Sequence, residues 1–159
     1  MTLSLILAAM AGTSPAAATN GHVTEIVRAE GSASEVGSPD YFTGKVTISS
    51  RFERPGPSRV NGAIVRFEPG ARTAWHRHPQ GQTLIVTEGV GWTQILGGPV
   101  LEFRAGDILW CPPNRAHWHG ATPQSAMTHI AVQERQGGMT ATWLNHVTDA
   151  EYQAGPQRD

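Results

Sequence analysis

The stretch Gly70-Ala71-Arg72-Thr73-Ala74-Trp75-His76-Arg77-His78-Pro79-Gln80-Gly81-Gln82-Thr83-Leu84-Ile85-Val86-Thr87-Glu88-Gly89 decides how this chain is read. His76 and His78 stand two apart, the chain turns at Pro79-Gln80-Gly81, and a strand-like run begins at Gln82. Alternate residues of a strand share a face. The two imidazoles therefore point the same way, and Gln82, Leu84 and Val86 can share the inward face of the next strand. His117 follows a second turn, Pro112-Pro113-Asn114, at the start of another strand. Three imidazoles and one amide oxygen can then converge inside the mouth of a β structure and hold one divalent metal ion.

Outward from this stretch, short strand-like runs recur between turn residues. They cover residues 45–49, 61–67, 83–87, 91–96, 100–103, 108–111 and 127–133. Glu68-Pro69-Gly70, Gly97-Gly98-Pro99 and Gly106-Asp107 punctuate them. Short strands with Gly/Pro punctuation and no long helical period predict an all-β barrel or sandwich. A polar arm, residues 19–40, precedes the barrel (41–147) and carries one short expected strand at 23–28. A helix and tail, residues 148–159, follow. Thr148 and Glu151 form a capping-box pattern at the helix start. Trp143 and Leu144 are expected to pack that tail against the barrel.

Composition narrows the function classes. A chain of 159 residues suggests one domain. Formal net charge is −1, from 12 basic and 13 acidic residues. That balance gives no electrostatic footprint for nucleic acid or an anionic membrane surface. The single cysteine, Cys111, permits no intrachain disulfide and reads as a small packed hydrophobe. No Ser, Cys or paired-carboxylate constellation is present, and no Gly-rich phosphate loop. Residues 1–18 carry an apolar stretch followed by Ala16-Ala17-Ala18. This looks like the end of a secretory signal, without the preceding basic residue, and is too short to span a bilayer. The protein is periplasmic or secreted if that segment is a signal peptide, and cytoplasmic if it is an uncleaved, disordered extension.

The histidine spacings resemble the cupin superfamily. Gly70, His76, His78, Gln82 and Gly89 stand at the spacing of its first motif, with Gln82 in place of Glu. Gly106, Pro112 and His117 stand at the spacing of its second, with Asn114 in place of Gly and Ala121 in place of Asn. Asn114 tolerates a left-handed turn. The resemblance implies a single-domain cupin, a double-stranded β-helix or jelly-roll barrel, with His76, His78, Gln82 and His117 as metal ligands. Packed or surface histidines would be the reading for one His alone, not for four donors at this spacing. The barrel does not fix the reaction, because it hosts enzymes, binding proteins and storage proteins.

Longer stretches are similar to the manganese-dependent cupin hydroxynitrile lyases. They include residues 67–76, 81–87, 117–121, 127–129, 133–135 and 145–149. This resemblance implies a metal-dependent carbon–carbon lyase that cleaves or forms cyanohydrins such as (R)-mandelonitrile. It also implies that His129 stands beside the metal as an acid/base. Inward-facing Ala63, Val65 and Gln133, with His119, are expected to shape an aromatic-sized substrate pocket. Manganese is the favoured ion, with Fe, Ni, Co and Zn as alternatives. Replacing Glu by neutral Gln82 leaves the full charge of the ion on the site. Two other functions compete: a metal-dependent dioxygenase acting on a phenolic or enolic substrate, and a non-enzymatic metal or small-ligand binding barrel. Exposed edge strands favour a homodimer or homotetramer. His22 and His146 are expected at the surface or in packing, and Arg72 as a solvated charge. Trp75, Trp92, Trp110 and Trp118 are expected in the core or at a dimer contact.

Overall fold

The computed structural model describes residues 24, 26–28, 30–54 and 56–157. The apolar segment at 1–18, His22, and Val23 and Glu25 of the expected first strand lie outside them. The rest of that expected strand, Thr24 and residues 26–28, is not extended into a ladder. The first strand among the described residues is instead β1 (Ser34–Val36), which pairs with residues 47–49.

Among the described residues twelve strands follow one another: β1, β2 (Phe42–Thr43), β3 (Val46–Glu53), β4 (Val60–Phe67), β5 (Arg72–Thr73), β6 (His76–Arg77), β7 (Gln82–Ile95), β8 (Val100–Arg104), β9 (Ile108–Cys111), β10 (His117–Ala121), β11 (Met127–Glu134) and β12 (Thr142–Trp143). One helix among the described residues, α1 (Asp149–Gln153), follows β12. The main path of neighbours is β1-β3-β4-β11-β7-β10-β5-β2, with β8 and β9 also on β7, and β6 joined to β10 and β12.

The two runs expected at 83–87 and 91–96 are one continuous strand of 14 residues. Its first half pairs with β11 and β9, its second with β10 and β8. The strand thus passes from one sheet to the other and curls the sheets around one interior. Gly89 is where it turns. Its φ is +72°, and a Cβ there would lie 1.8 Å from the Ala126 carbonyl oxygen. Only glycine meets both demands. Sequence punctuation at Gly89 was therefore a bend inside a strand and not its end.

Alternation sorts the side chains. Val46, Phe67 and Met127 align across β3, β4 and β11, and all three are fully buried. Removing a ring such as that of Phe67 costs about 3–5 kcal/mol. On the outer face, Ile64, Ile130, Ile85 and Ile108 form one cross-strand row. Ile108 and neighbouring Trp110 are well exposed there.

A second cluster joins Trp75, Val100, Trp118, Val147 and Tyr152 and docks α1. Thr148 caps the helix, and the reciprocal bonds of the capping box with Glu151 are both present. The Tyr152 hydroxyl donates to the Ala121 carbonyl at 2.7 Å. Two expectations fail here. Leu144 is exposed, and Trp143 packs on Tyr41, Phe42 and His76 instead of on the tail. Arg72 is buried, not solvated. Its guanidinium donates to the Val147 carbonyl and to Asp149, and lies 4.6 Å from the Tyr152 ring. The second cluster offers an aromatic face and a helix-entry carbonyl, which replace water for that cation.

Candidate metal centre

Local structure brings the motif histidines together. β6 pairs with β10 so that His76 lies opposite His117, and β10 pairs with β7 in the adjacent ladder. Arg77, between His76 and His78, is exposed while both histidines are buried, as alternation requires. Asn114 holds the expected left-handed conformation, φ 58°, in the turn before His117. The ring centroids of His76, His78 and His117 are 4.3–5.6 Å apart.

Hydrogen bonding shows which nitrogens are free. Nδ1 of His76 donates to the Ala74 carbonyl (3.0 Å), that of His78 to the Thr140 carbonyl (2.8 Å), and that of His117 to the Arg115 carbonyl (3.0 Å). A carbonyl only accepts, so the hydrogen sits on Nδ1 and Nε2 carries the lone pair. This is the arrangement in which imidazoles hold metals. Nε2 of His78 and of His117 is buried without a partner, and so is Oε1 of Gln82. Orphaned buried acceptors are costly unless something satisfies them. Three imidazole nitrogens and an amide oxygen fit a divalent cation.

His119, expected in the pocket, also lies against this group. His76, His117 and His119 offer ring nitrogens all within 4.8 Å of one another, and form the one His/Cys/Asp/Glu group of that spacing among the described residues. Neither nitrogen of His119 has a partner. It lacks the carbonyl anchor that His76, His78 and His117 share. His119 also stands near both His76 and His129: its ring centroid is 5.2 Å from His76 and 5.0 Å from His129. His129 sits on β11 between Val65 and Val86, fully buried, with both nitrogens unpaired.

Burial holds these imidazoles neutral. It pushes His129 down to about 3 and His78 to about 4. Burial, followed by the neighbouring histidines, holds His76 and His119 well below the usual imidazole range, and burial lowers His117 as well. A neutral imidazole is both the metal-binding and the proton-accepting form.

His76, His78 and Gln82 line a cavity of about 690 Å³. Ala63, Val65, Gln133, His119 and His129 all face it, as do Tyr41, Phe42 and Trp143. The carboxylates on its wall, Glu35 and Glu53, are ion-paired with Arg51 and Arg135. Trp143 stacks on Tyr41 at 4.6 Å and tilts over His76 at 4.8 Å. Its place here was not legible, because nothing near residue 143 marks a return to the barrel mouth. Cys111 is a packed hydrophobe, its thiol pushed up to about 12 by burial. His146 is exposed and within 3.2 Å of the Thr43 hydroxyl.

Residues 63–132 match the cupin domain family. An (R)-mandelonitrile lyase from Granulicella tundricola is 56% identical over 128 residues, covering 80% of this chain and 98% of that protein. The chain belongs to the cupin family. A cupin-like protein from Thermotoga maritima superposes with a TM-score of 0.72 at 40% identity, over 78% of this chain and 94% of that one. The polyketide cyclase RemF from Streptomyces resistomycificus gives 0.63 at 16% identity, over 82% and 92%. The last likeness concerns the fold alone. As a cupin, the chain places its three-histidine cluster inside the barrel. Its close relative being named a lyase supports an enzyme.

Proposed function

We propose that this protein is a metal-dependent carbon–carbon lyase of the hydroxynitrile lyase type, interconverting cyanohydrins such as (R)-mandelonitrile with aldehyde and cyanide. The observation that carries this reading is a wholly neutral donor set, His76, His78, Gln82 and His117, beside an unpaired neutral His129. When bound, a divalent ion, manganese by preference, supplies Lewis acidity and a charge that no ligand carboxylate cancels.

The chain's own residues do the rest. His129 takes the hydroxyl proton on a ring nitrogen as the bond to the nitrile carbon breaks, and returns it to the departing cyanide. The electron pair of that bond leaves with cyanide and the carbonyl forms, so no redox change occurs. His119, with two unpaired nitrogens between the ligands and His129, can hydrogen-bond the substrate oxygen. Ala63 and Val65 leave room for an aromatic ring, and Tyr41, Phe42 and Trp143 wall it. The relative's name and its 56% identity support the substrate class.

Benzaldehyde formation from mandelonitrile in air and under nitrogen tests the reaction type. Equal rates support the lyase, and a rate that depends on oxygen moves the protein to the dioxygenases. We also propose a homodimer or homotetramer of this chain. Among the described residues β9 pairs only with β7, and it carries exposed Ile108 and Trp110. Light scattering that returns the mass of a single chain, 17.0 kDa, overturns the assembly.

A further inference from the structure

We infer that Asn61 is a positioning residue that sets which end of the Gln82 amide faces the imidazoles. The inference rests on the metal reading above. Three amides form a directed chain across β4, β11 and β7. Register aligns Asn61 with Gln133, and Gln133 with Gln82. Gln82 Nε2 donates to Gln133 Oε1 at 3.0 Å, and Gln133 Nε2 donates to Asn61 Oδ1 at 2.6 Å. Asn61 Nδ2 donates to the Arg59 carbonyl at 3.4 Å.

The last link decides the direction. The Arg59 carbonyl can only accept, and the Arg135 amide fixes it by donating to it at 2.9 Å. Asn61 must therefore offer its NH₂ to Arg59 and its oxygen to Gln133. Gln133 must then offer its oxygen to Gln82, and Gln82 must turn its own oxygen inward. That oxygen is the one left without a partner, against His76 and His78. Reversing any link would aim an NH₂ group, which has no lone pair for a cation, at the site. A carboxylate at position 82 would need no such control, because both its ends are oxygens. Asn61 therefore belongs with the choice of Gln82.

The test is a double-mutant cycle read by metal affinity, with Mn²⁺ as the probe and free aqua-ion followed by EPR. Asn61→Leu removes both hydrogen bonds at similar volume. It is expected to weaken Mn²⁺ binding about 10-fold or more, in the range typical of lost partners of metal ligands. In a Gln82→Glu background, the same change is expected to shift affinity less than about 2-fold, because orientation no longer matters. Asn61→Asp, which still accepts from Gln133, is expected to retain affinity. If Asn61→Leu does not fold, Asn61→Thr, too short to reach Gln133, takes its place. Equal weakening in both backgrounds would make Asn61 merely structural and overturn the inference. Wild-type affinity in Asn61→Leu would overturn it as well. Failure of the unmodified protein to bind Mn²⁺ or, in competition with a chromophoric chelator, Zn²⁺ would instead remove the metal reading itself.

Discussion

His76 and His117 face each other across β6 and β10 with ring centroids 4.3 Å apart, and each hands its Nδ1 hydrogen to the carbonyl two residues before it. The same local device on two strands aims two lone pairs into one space. Replacing either ring by alanine should remove a ligand and leave its partner's lone pair unsatisfied. We expect His76→Ala and His117→Ala to lose Mn²⁺ affinity by more than about 100-fold. Metal content after dialysis against a weak chelator measures this, and full retention in either variant would assign the ligands elsewhere.

In the proposed reaction His129 moves a proton and does not hold the ion. His129→Gln should lower cyanohydrin cleavage by about 10²–10⁴-fold, the usual contribution of a general acid–base. Its metal content should stay at the wild-type level. A variant that loses metal as well would make His129 a ligand.

Acid should destabilise the metal-free protein. Each of the five clustered histidines has a folded-state pKa below the usual 6.5. Below that value the unfolded chain binds protons that the folded chain refuses. Stability is therefore complete above the unfolded pKa and falls as pH drops from about 6.5 towards about 4 for His78 and about 3 for His129. Each neutral buried histidine contributes a slope of about 1.4 kcal/mol per pH unit in that window. Denaturant unfolding of chelator-treated protein at pH 7 and 5 checks the sign. A flat profile would mean that the rings are not buried in the folded state.

Gly89 turns β7 between the two sheets. Gly89→Ala meets the Ala126 carbonyl and a left-handed backbone together. It should cost about 2–5 kcal/mol or prevent folding. Gly97, also left-handed but with open space around it, should tolerate alanine better. Equal destabilisation of the two variants in urea titrations would contradict the role of the bend.

The site was more legible than the fold's details. Strand alternation, a local rule, put His76 and His78 on one face, and the cupin motif spacing added Gln82 and His117, which strand pairing brings beside them. Pairing partners are not local. The join of residues 83–87 and 91–96 into β7 depended on the Ala126 carbonyl, which lies far along the chain. The buried guanidinium of Arg72 depended on Tyr152 and Val147, and the approach of Trp143 to His76 depended on β12 pairing with β6. His119 shares its strand with His117, but its nearness to His76 follows from the pairing of β10 with β6. The carbonyl anchors at Ala74, Thr140 and Arg115 are main-chain groups and carry no residue signature.

Release of cyanide from racemic mandelonitrile by metal-analysed protein, with and without chelator, decides whether this barrel is a lyase. Release is expected to favour one enantiomer, stop with chelator and return when the metal is restored. Stoichiometric metal with no release of cyanide would contradict the lyase and leave a cupin barrel that binds its ion for another purpose.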